Sequence, residues 1–148
     1  MIHEEIVTYE VAKLAKEAGF PQDVDKWLGD LHSATNSNYY NHKGELNGDC
    51  IEIIKCKIQK EEAPKEFELV AAPTQSLLQR WLREKKDVHI SIIANREEDD
   101  DVIWYSNEVL KDTGWSVCSW WERPMTVCYS SYEQALEHAL KFALENLV

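Results

Sequence analysis

The stretch TQSLLQRWLREKKDVHISIIAN, residues 74–95, changes its apolar repeat at Asp87. Before Asp87 the apolar residues recur at helical spacing and form one stripe, made of Leu77, Leu78, Trp81 and Leu82. After Asp87 the repeat shortens to that of an extended chain, which places on one side Val88, Ile90 and Ile92. The stretch therefore predicts a helix over 74–85 and, directly after it, a strand over 88–95.

The residues that follow predict an antiparallel meander. Residues 96–101 form a charged turn, residues 102–110 return as a strand, and residues 111–114 turn the chain again. Further strand material follows at 115–121 and 125–129. Connections this short cannot hold a parallel crossover, so neighbouring strands are expected to run antiparallel. Over the whole chain we expect about five to seven strands in a mostly antiparallel β-meander.

The last helix is marked both at its start and along its length. Ser131 to Gln134 has the capping-box pattern S-x-x-Q, in which the serine oxygen accepts a hydrogen bond from a backbone N–H of the first turn. Apolar residues then repeat at helical spacing, and they are Tyr132, Ala135, Leu136, Ala139, Leu140, Ala143, Leu144 and Leu147. We expect this helix and the helix at 74–85 to pack their apolar stripes on one face of the sheet.

The N-terminal part of the chain adds a helix and hairpins. It predicts a helix, a shorter helical pattern and three strands, in that order at 8–18, 22–32, 38–41, 50–58 and 67–70. Gly19 and Pro21 end the first helix, and Gly44 lies in the turn of a predicted hairpin. The strands at 50–58 and 67–70 are expected to pair antiparallel with each other.

The fold class is therefore α+β: a mostly antiparallel β-meander with two amphipathic helices packed on one face, plus an N-terminal helix and hairpin. We expect a single domain over residues 1–148, since a chain of this length buries an adequate core. Residues 1–70 either extend the sheet or form an N-terminal subdomain beside a helix–meander–helix core at 71–148.

Several stretches carry a resemblance that spans most of the chain. They are AAPTQSLLQRWLREK at 71–85 followed by VHI at 88–90, YSSYEQALEHAL at 129–140, LAKEAGF at 14–20 and NYYNHKGEL at 38–46. Together they resemble small uncharacterised proteins of bacteriophages, prophages and mobile elements of gut-type bacteria. The resemblance implies a helix, a β-meander and a closing helix, and it implies no activity, substrate or catalytic residue. Residues 97–101 and 115–121 have no counterpart in that group.

Charge and composition exclude several classes of protein. The chain has 16 Lys and Arg against 27 Asp and Glu, a formal net charge of -11 at pH 7. A general nucleic-acid binder needs a basic face. The N-terminus has no signal-peptide pattern, and no apolar run approaches the ~20 residues of a transmembrane helix. We therefore expect a cytoplasmic protein with no membrane contact and no nucleic-acid partner.

Residue types that carry catalysis or bind metals are present but lack the spacing that these functions need. The four cysteines lack zinc-ligand spacing and are expected to be reduced core or half-buried residues: Cys50, Cys56, Cys118 and Cys128. His89 could serve Cys128 or Asp87 as a base, although a histidine on a strand is more often a surface or hydrogen-bonded residue. No nucleotide-binding or nucleophile motif occurs. We predict no catalytic residue, no metal site and no cofactor, and favour a protein that is not an enzyme.

The acidic run EEDDD at 97–101 is interpreted as a solvated hairpin tip. Carboxylates are the ligands of hard cations, so loose cation binding is the alternative. The D-x-D-x-D-G spacing of a calcium loop is absent, however, and adjacent carboxylates on a turn point in several directions.

Three of the six tryptophans lie close together in the sequence, at 115, 120 and 121. Because Trp120 and Trp121 are adjacent on a predicted strand, one ring faces the core and the other faces outward. The outward ring needs a cover, which is either a helix of the same domain or a partner protein. The candidate partner-binding residues are Trp115, Trp120, Trp121 and Arg123.

The sequence favours a non-enzymatic accessory protein of a phage or mobile element that acts through protein–protein interaction with a partner of basic surface. The alternative is a small-ligand-binding protein or enzyme, with a pocket between sheet and helices near Trp104, Trp120 and His89. A third hypothesis is a duplex-RNA-binding-like module, based on the α-β-β-β-α order and the cationic cluster of Arg80, Arg83, Lys85 and Lys86.

Overall fold

The computed structural model describes residues 3–22, 39–41, 43–47, 69–96, 98, 101–111, 115–116 and 128–148. These residues form three helices and two three-stranded antiparallel sheets, which is the α+β class that the sequence predicts. They belong to two compact units, Ile6–Thr74 and Met1–Glu5 with Gln75–Val148. The strand predicted at 50–58 and nearly all of the helical pattern predicted at 22–32 lie outside the described residues.

In the unit Ile6–Thr74, helix α1 (Tyr9–Glu17) begins and ends where the sequence predicts. Thr8 is its N-cap, and the Thr8 hydroxyl accepts a hydrogen bond from the backbone N–H of Val11. Gly19 has a positive φ of 91°, and the Phe20 N–H then reaches back to the Ala15 carbonyl at 2.8 Å. This return satisfies a carbonyl at the C-terminus of the helix that otherwise has no intrahelical partner.

The sheet of this unit consists of three short strands with β1 in the centre. The strands are β1 (Tyr39–Tyr40), β2 (Leu46–Asn47) and β3 (Val70–Ala71), in the order β2-β1-β3. Gly44 takes a positive φ of 78° in the β1–β2 turn, which confirms the predicted hairpin. Val70 lies opposite Tyr40 of β1, and its predicted pairing with the strand at 50–58 lies outside the described residues.

The second unit is a helix, a meander and a closing helix. Its elements are α2 (Gln75–Lys86), β4 (Val88–Arg96), β5 (Ile103–Lys111), β6 (Trp115–Ser116) and α3 (Tyr132–Asn146). The strand order β4-β5-β6 is that of a meander. β4 and β5 pair without interruption from Val88 opposite Lys111 to Arg96 opposite Ile103.

The two helices pack on one face of this sheet, which is called the inner face below. It carries the even-numbered residues of β4 and the odd-numbered residues of β5, because directly opposed residues share a face. The core between sheet and helices is fully or almost fully buried and includes Leu78, Leu82, Val88, Ile90, Val109, Leu136 and Leu140. Among the described helices, none combines the length and apolar character of a membrane-spanning segment.

Polar and aromatic contacts attach α3 to the inner face of β5. Asn107 donates from Nδ2 to the Ala135 carbonyl at 3.0 Å, and Lys111 donates from Nζ to the Leu147 carbonyl. The ring of Tyr105 meets the ring of Tyr132 edge-on, with centroids 6.4 Å apart. α3 therefore follows β5 along its length, with its start near Tyr105 and its end near Lys111.

The chain just before α3 also touches β5. Tyr129 exchanges two backbone hydrogen bonds of 2.9 Å with Tyr105, on the side of β5 that faces away from β4. This pairing confirms strand-like structure at the end of the predicted segment 125–129. Cys128 beside it is exposed, so its predicted burial is wrong, because a residue at the end of a segment that pairs at the sheet edge need not face the core.

Candidate interaction surface

The outer face of the β4–β5 pair is a candidate interaction surface in the described part of the chain. It carries four opposed pairs, which are His89 and Leu110, Ser91 and Glu108, Ile93 and Ser106, and Asn95 and Trp104. Ile93 and Leu110 are 41% and 37% exposed, and Trp104 is half-buried. No helix of the described residues packs on this face, and exposed apolar side chains such as Ile93 and Leu110 are available for contact with another molecule.

The charge of the outer face is negative. Glu108 is its carboxylate, and neither β4 nor β5 places a lysine or arginine there. The two cations of these strands, Arg96 and Lys111, both belong to the inner face. An incoming surface that carries lysine or arginine therefore meets no repelling lysine or arginine on the outer face of these two strands.

The distal end of the hairpin adds more negative charge. Glu98 and Asp101 are exposed and belong to the sequence run EEDDD at 97–101. Asp101 Oδ1 lies 2.8 Å from Arg96 Nη2 in an ion pair that is itself exposed. Among the described residues, no group of three histidine, cysteine, aspartate or glutamate side chains is arranged to hold a metal ion.

Apolar residues at this distal end are exposed on both faces of the ribbon. Ile103, on the inner face, is 49% exposed, and Val102 next to it is 60% exposed. Ala94 and Arg96 on the inner face are exposed as well. The described helices thus cover the proximal half of the hairpin, and the distal half extends past them.

The structure describes one of the four predicted partner-binding residues. Trp115 starts β6 and pairs with Lys111 at the edge of the sheet. Trp120, Trp121 and Arg123 lie outside the described residues, so their role stays a prediction.

His89 and Trp104 lie on the outer face, which is the side of the sheet away from α2 and α3. His89 is exposed opposite Leu110, and Trp104 lies opposite Asn95 six residues further along β4. At about 3.3 Å per strand residue, the two positions are roughly 20 Å apart. This placement does not bring them to one pocket between sheet and helices.

A cluster of aromatic residues, which no sequence pattern predicts, lies at the start of α3. The Tyr129 and His138 rings have centroids 4.8 Å apart and are tilted by 35°. Tyr129 also pairs with Tyr105, whose ring contacts Tyr132. The cluster joins a strand to a helix, and a local pattern cannot reveal it because its members come from two separate elements. Its contacts fix the start of α3 on the sheet.

The cationic cluster predicted on α2 is partly paired within the helix. Arg80 Nε donates to Glu84 Oε1 at 2.8 Å, and this hydrogen bond lowers the pKa of Glu84 below its usual value. The Lys86 ammonium lies 5.4 Å from the centre of the Trp81 ring. Arg83 and Lys85 are exposed.

Comparison of the chain with protein-family models, with curated proteins and with solved structures finds no match. Function is therefore inferred from the outer face and from its charges.

Proposed function

We propose that this chain is a non-enzymatic accessory protein that acts by binding another protein through the outer face of β4 and β5. The observation that carries the proposal is a sheet face with exposed Ile93 and Leu110 and half-buried Trp104, on which α2 and α3 do not pack. Apolar and aromatic side chains of this kind supply the central contacts of protein interfaces.

The partner in this proposal has an apolar patch surrounded by lysine and arginine. Three features support this chemistry: the net charge of -11, the carboxylate of Glu108 on the face itself, and the exposed Glu98 and Asp101 at its distal end. Opposite charges around an apolar contact speed association and exclude partners of the wrong sign. A nucleic-acid-binding protein is one class of protein with such a surface.

The origin in a bacteriophage or mobile element is part of the same proposal. Its support is the resemblance carried by the α2 segment and by the start of α3. Binding to a protein of the host or of the element itself needs a binding surface rather than a reactive centre.

The test is affinity capture with quantitative mass spectrometry, using the whole chain and two outer-face variants. Leu110→Asp places a charge in the apolar part of the face, and Glu108→Lys reverses the charge of its carboxylate. We expect a basic protein to be retained by the original chain and its retention to fall at least about tenfold in each variant. Retention should also fall as salt is raised, because exposed charges are screened.

Val148→Asp is the matched control, since Val148 is 44% exposed and follows α3, which packs on the inner face of the sheet and not on the outer face. The control should retain the same basic protein as the original chain. The proposal is wrong if Leu110→Asp and Glu108→Lys retain the same proteins as the original chain, or if no protein of basic surface is retained at low salt.

A further inference from the structure

In the sheet that the described residues form, β4 is an edge strand whose residues 88–95 lack the residue types that usually prevent further pairing. It is the first strand in the order β4-β5-β6, and no strand of the described residues pairs with its other side. Its nine residues pair with β5 without a bulge, and residues 88–95 contain no lysine, arginine, acidic residue, proline or glycine. Natural sheets usually block exposed edges with such residues or with bulges.

Two contacts show which residues of β4 point their backbone N–H and carbonyl groups outward, that is, in the plane of the sheet and away from β5. Tyr105 uses its N–H and its carbonyl for Tyr129, so Ala94, which lies opposite Tyr105, does not bond to β5. Gln79 on α2 donates from Nε2 to the Ile90 carbonyl at 2.9 Å, so the backbone groups of Ile90 also point away from β5. By the alternation of an antiparallel ladder, Ile92 between them has the same orientation.

The outward groups of Ile92 and Ala94 have no hydrogen-bond partner in the part of the chain that the structure describes. Gln79 satisfies the carbonyl of Ile90 and thereby limits the open edge to the segment beyond it. Ala94 is exposed and Ile92 is half-buried. The open edge is therefore short and well defined, and an added strand would satisfy both residues.

We propose that this edge pairs antiparallel with the same edge of a second copy of the chain, with Ile92 of each copy opposite Ala94 of the other. The two opposed pairs would exchange about four backbone hydrogen bonds. A two-fold axis then passes through Ile93, which brings the two Ile93 side chains together on the outer face. Ile93 is 41% exposed in a single copy, and this contact would bury it.

Charge complementarity favours a second copy over an unrelated extended peptide. Arg83 and Lys86 follow Gln79 on α2 by four and seven residues, so they share the side of the helix that contacts the edge of β4. In the antiparallel pair, Arg96 of one copy lies opposite Ile90 of the other, so Glu98, two residues further along the chain, comes near the start of β4 in the other copy. Glu98 and Asp101 would thus lie beside Arg83 and Lys86, and the two-fold axis makes this contact twice.

This self-association shares Ile93 with the surface of the proposed function but leaves Leu110 and Glu108 available. The variants at Leu110 and Glu108 and the variant at Ala94 therefore test the two proposals separately. Self-association is tested by sedimentation velocity of the whole chain over about a hundredfold range of protein concentration. We expect a monomer–dimer equilibrium that shifts toward monomer as salt is raised.

Ala94→Pro removes the outward N–H at the centre of the pairing without removing a hydrogen bond to β5. We expect it to raise the dissociation constant at least about tenfold while the far-UV circular dichroism spectrum stays unchanged. Amide exchange gives a second readout, because Ile92 and Ala94 should exchange quickly at low concentration and slowly at high concentration. Slow exchange of these amides in the monomer would mean that the same chain covers the edge, and would overturn the proposal.

A charge exchange tests the orientation of the pair. The variants Arg83→Glu with Lys86→Glu, and Glu98→Lys with Asp101→Lys, should each remain monomeric because like charges then meet at both contacts. An equal mixture of the two variants should restore the dimer. A chain that stays monomeric over the whole concentration range, or a dimer that neither Ala94→Pro nor these charge variants weaken, would refute the proposed pairing.

Discussion

Gln75 is a polar side chain that the structure buries at the start of α2. It is 7% exposed, and its Nε2 donates to the Glu133 carbonyl at 3.1 Å and to Glu137 Oε2 at 2.9 Å. Both acceptors belong to α3, so one amide joins the two helices that cover the sheet. A glutamine in the first turn of a helix is usually a surface residue, so the sequence alone does not predict this burial.

Gln75→Leu should lower the free energy of unfolding by about 1–3 kcal/mol, because it leaves a half-buried carboxylate and a carbonyl without this donor. The measurement is urea unfolding followed by circular dichroism. Ser76→Ala is the matched control, since the neighbouring Ser76 hydroxyl donates to Glu4 in an exposed position. The control should change the free energy by less than about 0.5 kcal/mol. Equal effects of the two substitutions would contradict the role given to Gln75.

At the scale of the secondary-structure element, α3 has the cap that its sequence predicts, but only half of the capping box forms. The Ser131 hydroxyl accepts a hydrogen bond from the Gln134 N–H at 3.2 Å. The Gln134 side chain, however, accepts from the Ser130 hydroxyl at 2.8 Å. The motif S-x-x-Q predicts the serine cap because the hydrogen bond of the serine is local. It does not predict the partner of the Gln134 side chain, because the adjacent Ser130 hydroxyl offers another donor.

Ser131→Ala should cost about 1 kcal/mol of stability, the usual loss on removing an N-cap. Ser130→Ala, one residue earlier, should cost clearly less, because the Ser130 hydroxyl is bonded to an exposed side chain and to no backbone group of the helix. Thermal unfolding of the two variants side by side measures the difference. If Ser130→Ala were the more damaging change, the cap would be wrongly assigned.

Helix α2 gives a prediction about pH. The Arg80 hydrogen bond is the main cause that lowers the pKa of Glu84, and the charges of Arg83 and Lys85 act in the same direction. A carboxylate whose pKa is lower in the folded state stabilises that state above its unfolded-state pKa. This stabilisation is lost as the pH falls through the folded-state pKa.

In an NMR titration of the Glu84 carboxyl carbon, Arg80→Gln should therefore raise the pKa of Glu84 toward its usual value. Lys85→Gln should raise the pKa less, because Lys85 acts only through its charge and makes the smallest contribution. An unchanged midpoint in Arg80→Gln would show that the ion pair does not persist in solution.

At the scale of the whole molecule, local periodicity predicted the elements of the second unit well. The strand predicted at 88–95 is observed as Val88–Arg96, and the return strand predicted at 102–110 is observed as Ile103–Lys111. A strong repeat and a short connection fix both the faces and the pairing of such a hairpin. The two amphipathic helices then have only the apolar inner face to cover.

Features that depend on a distant partner were beyond local pattern. Two such features are the backbone pairing of Tyr129 with Tyr105 and the hydrogen bond from Gln79 to Ile90. Each joins two elements, and the sequence of one element does not predict its contact with the other. The open edge of β4 is a feature of the same kind, because strand order and not strand sequence determines it. The sequence did not predict the outer face of β4 and β5 as a candidate site, and the role predicted for the tryptophan segment stays a prediction.

The central claim is that α2 and α3 cover one face of the meander and leave the other accessible. Val109 and Leu110 are neighbours in β5 that point to opposite faces, and they are 0% and 37% exposed. The most direct measurement is methyl NMR of the whole chain with a soluble paramagnetic cosolute. The account predicts strong broadening of the Leu110 methyl signals and almost none for Val109. Equal broadening of the two residues, or stronger broadening of Val109, would contradict it.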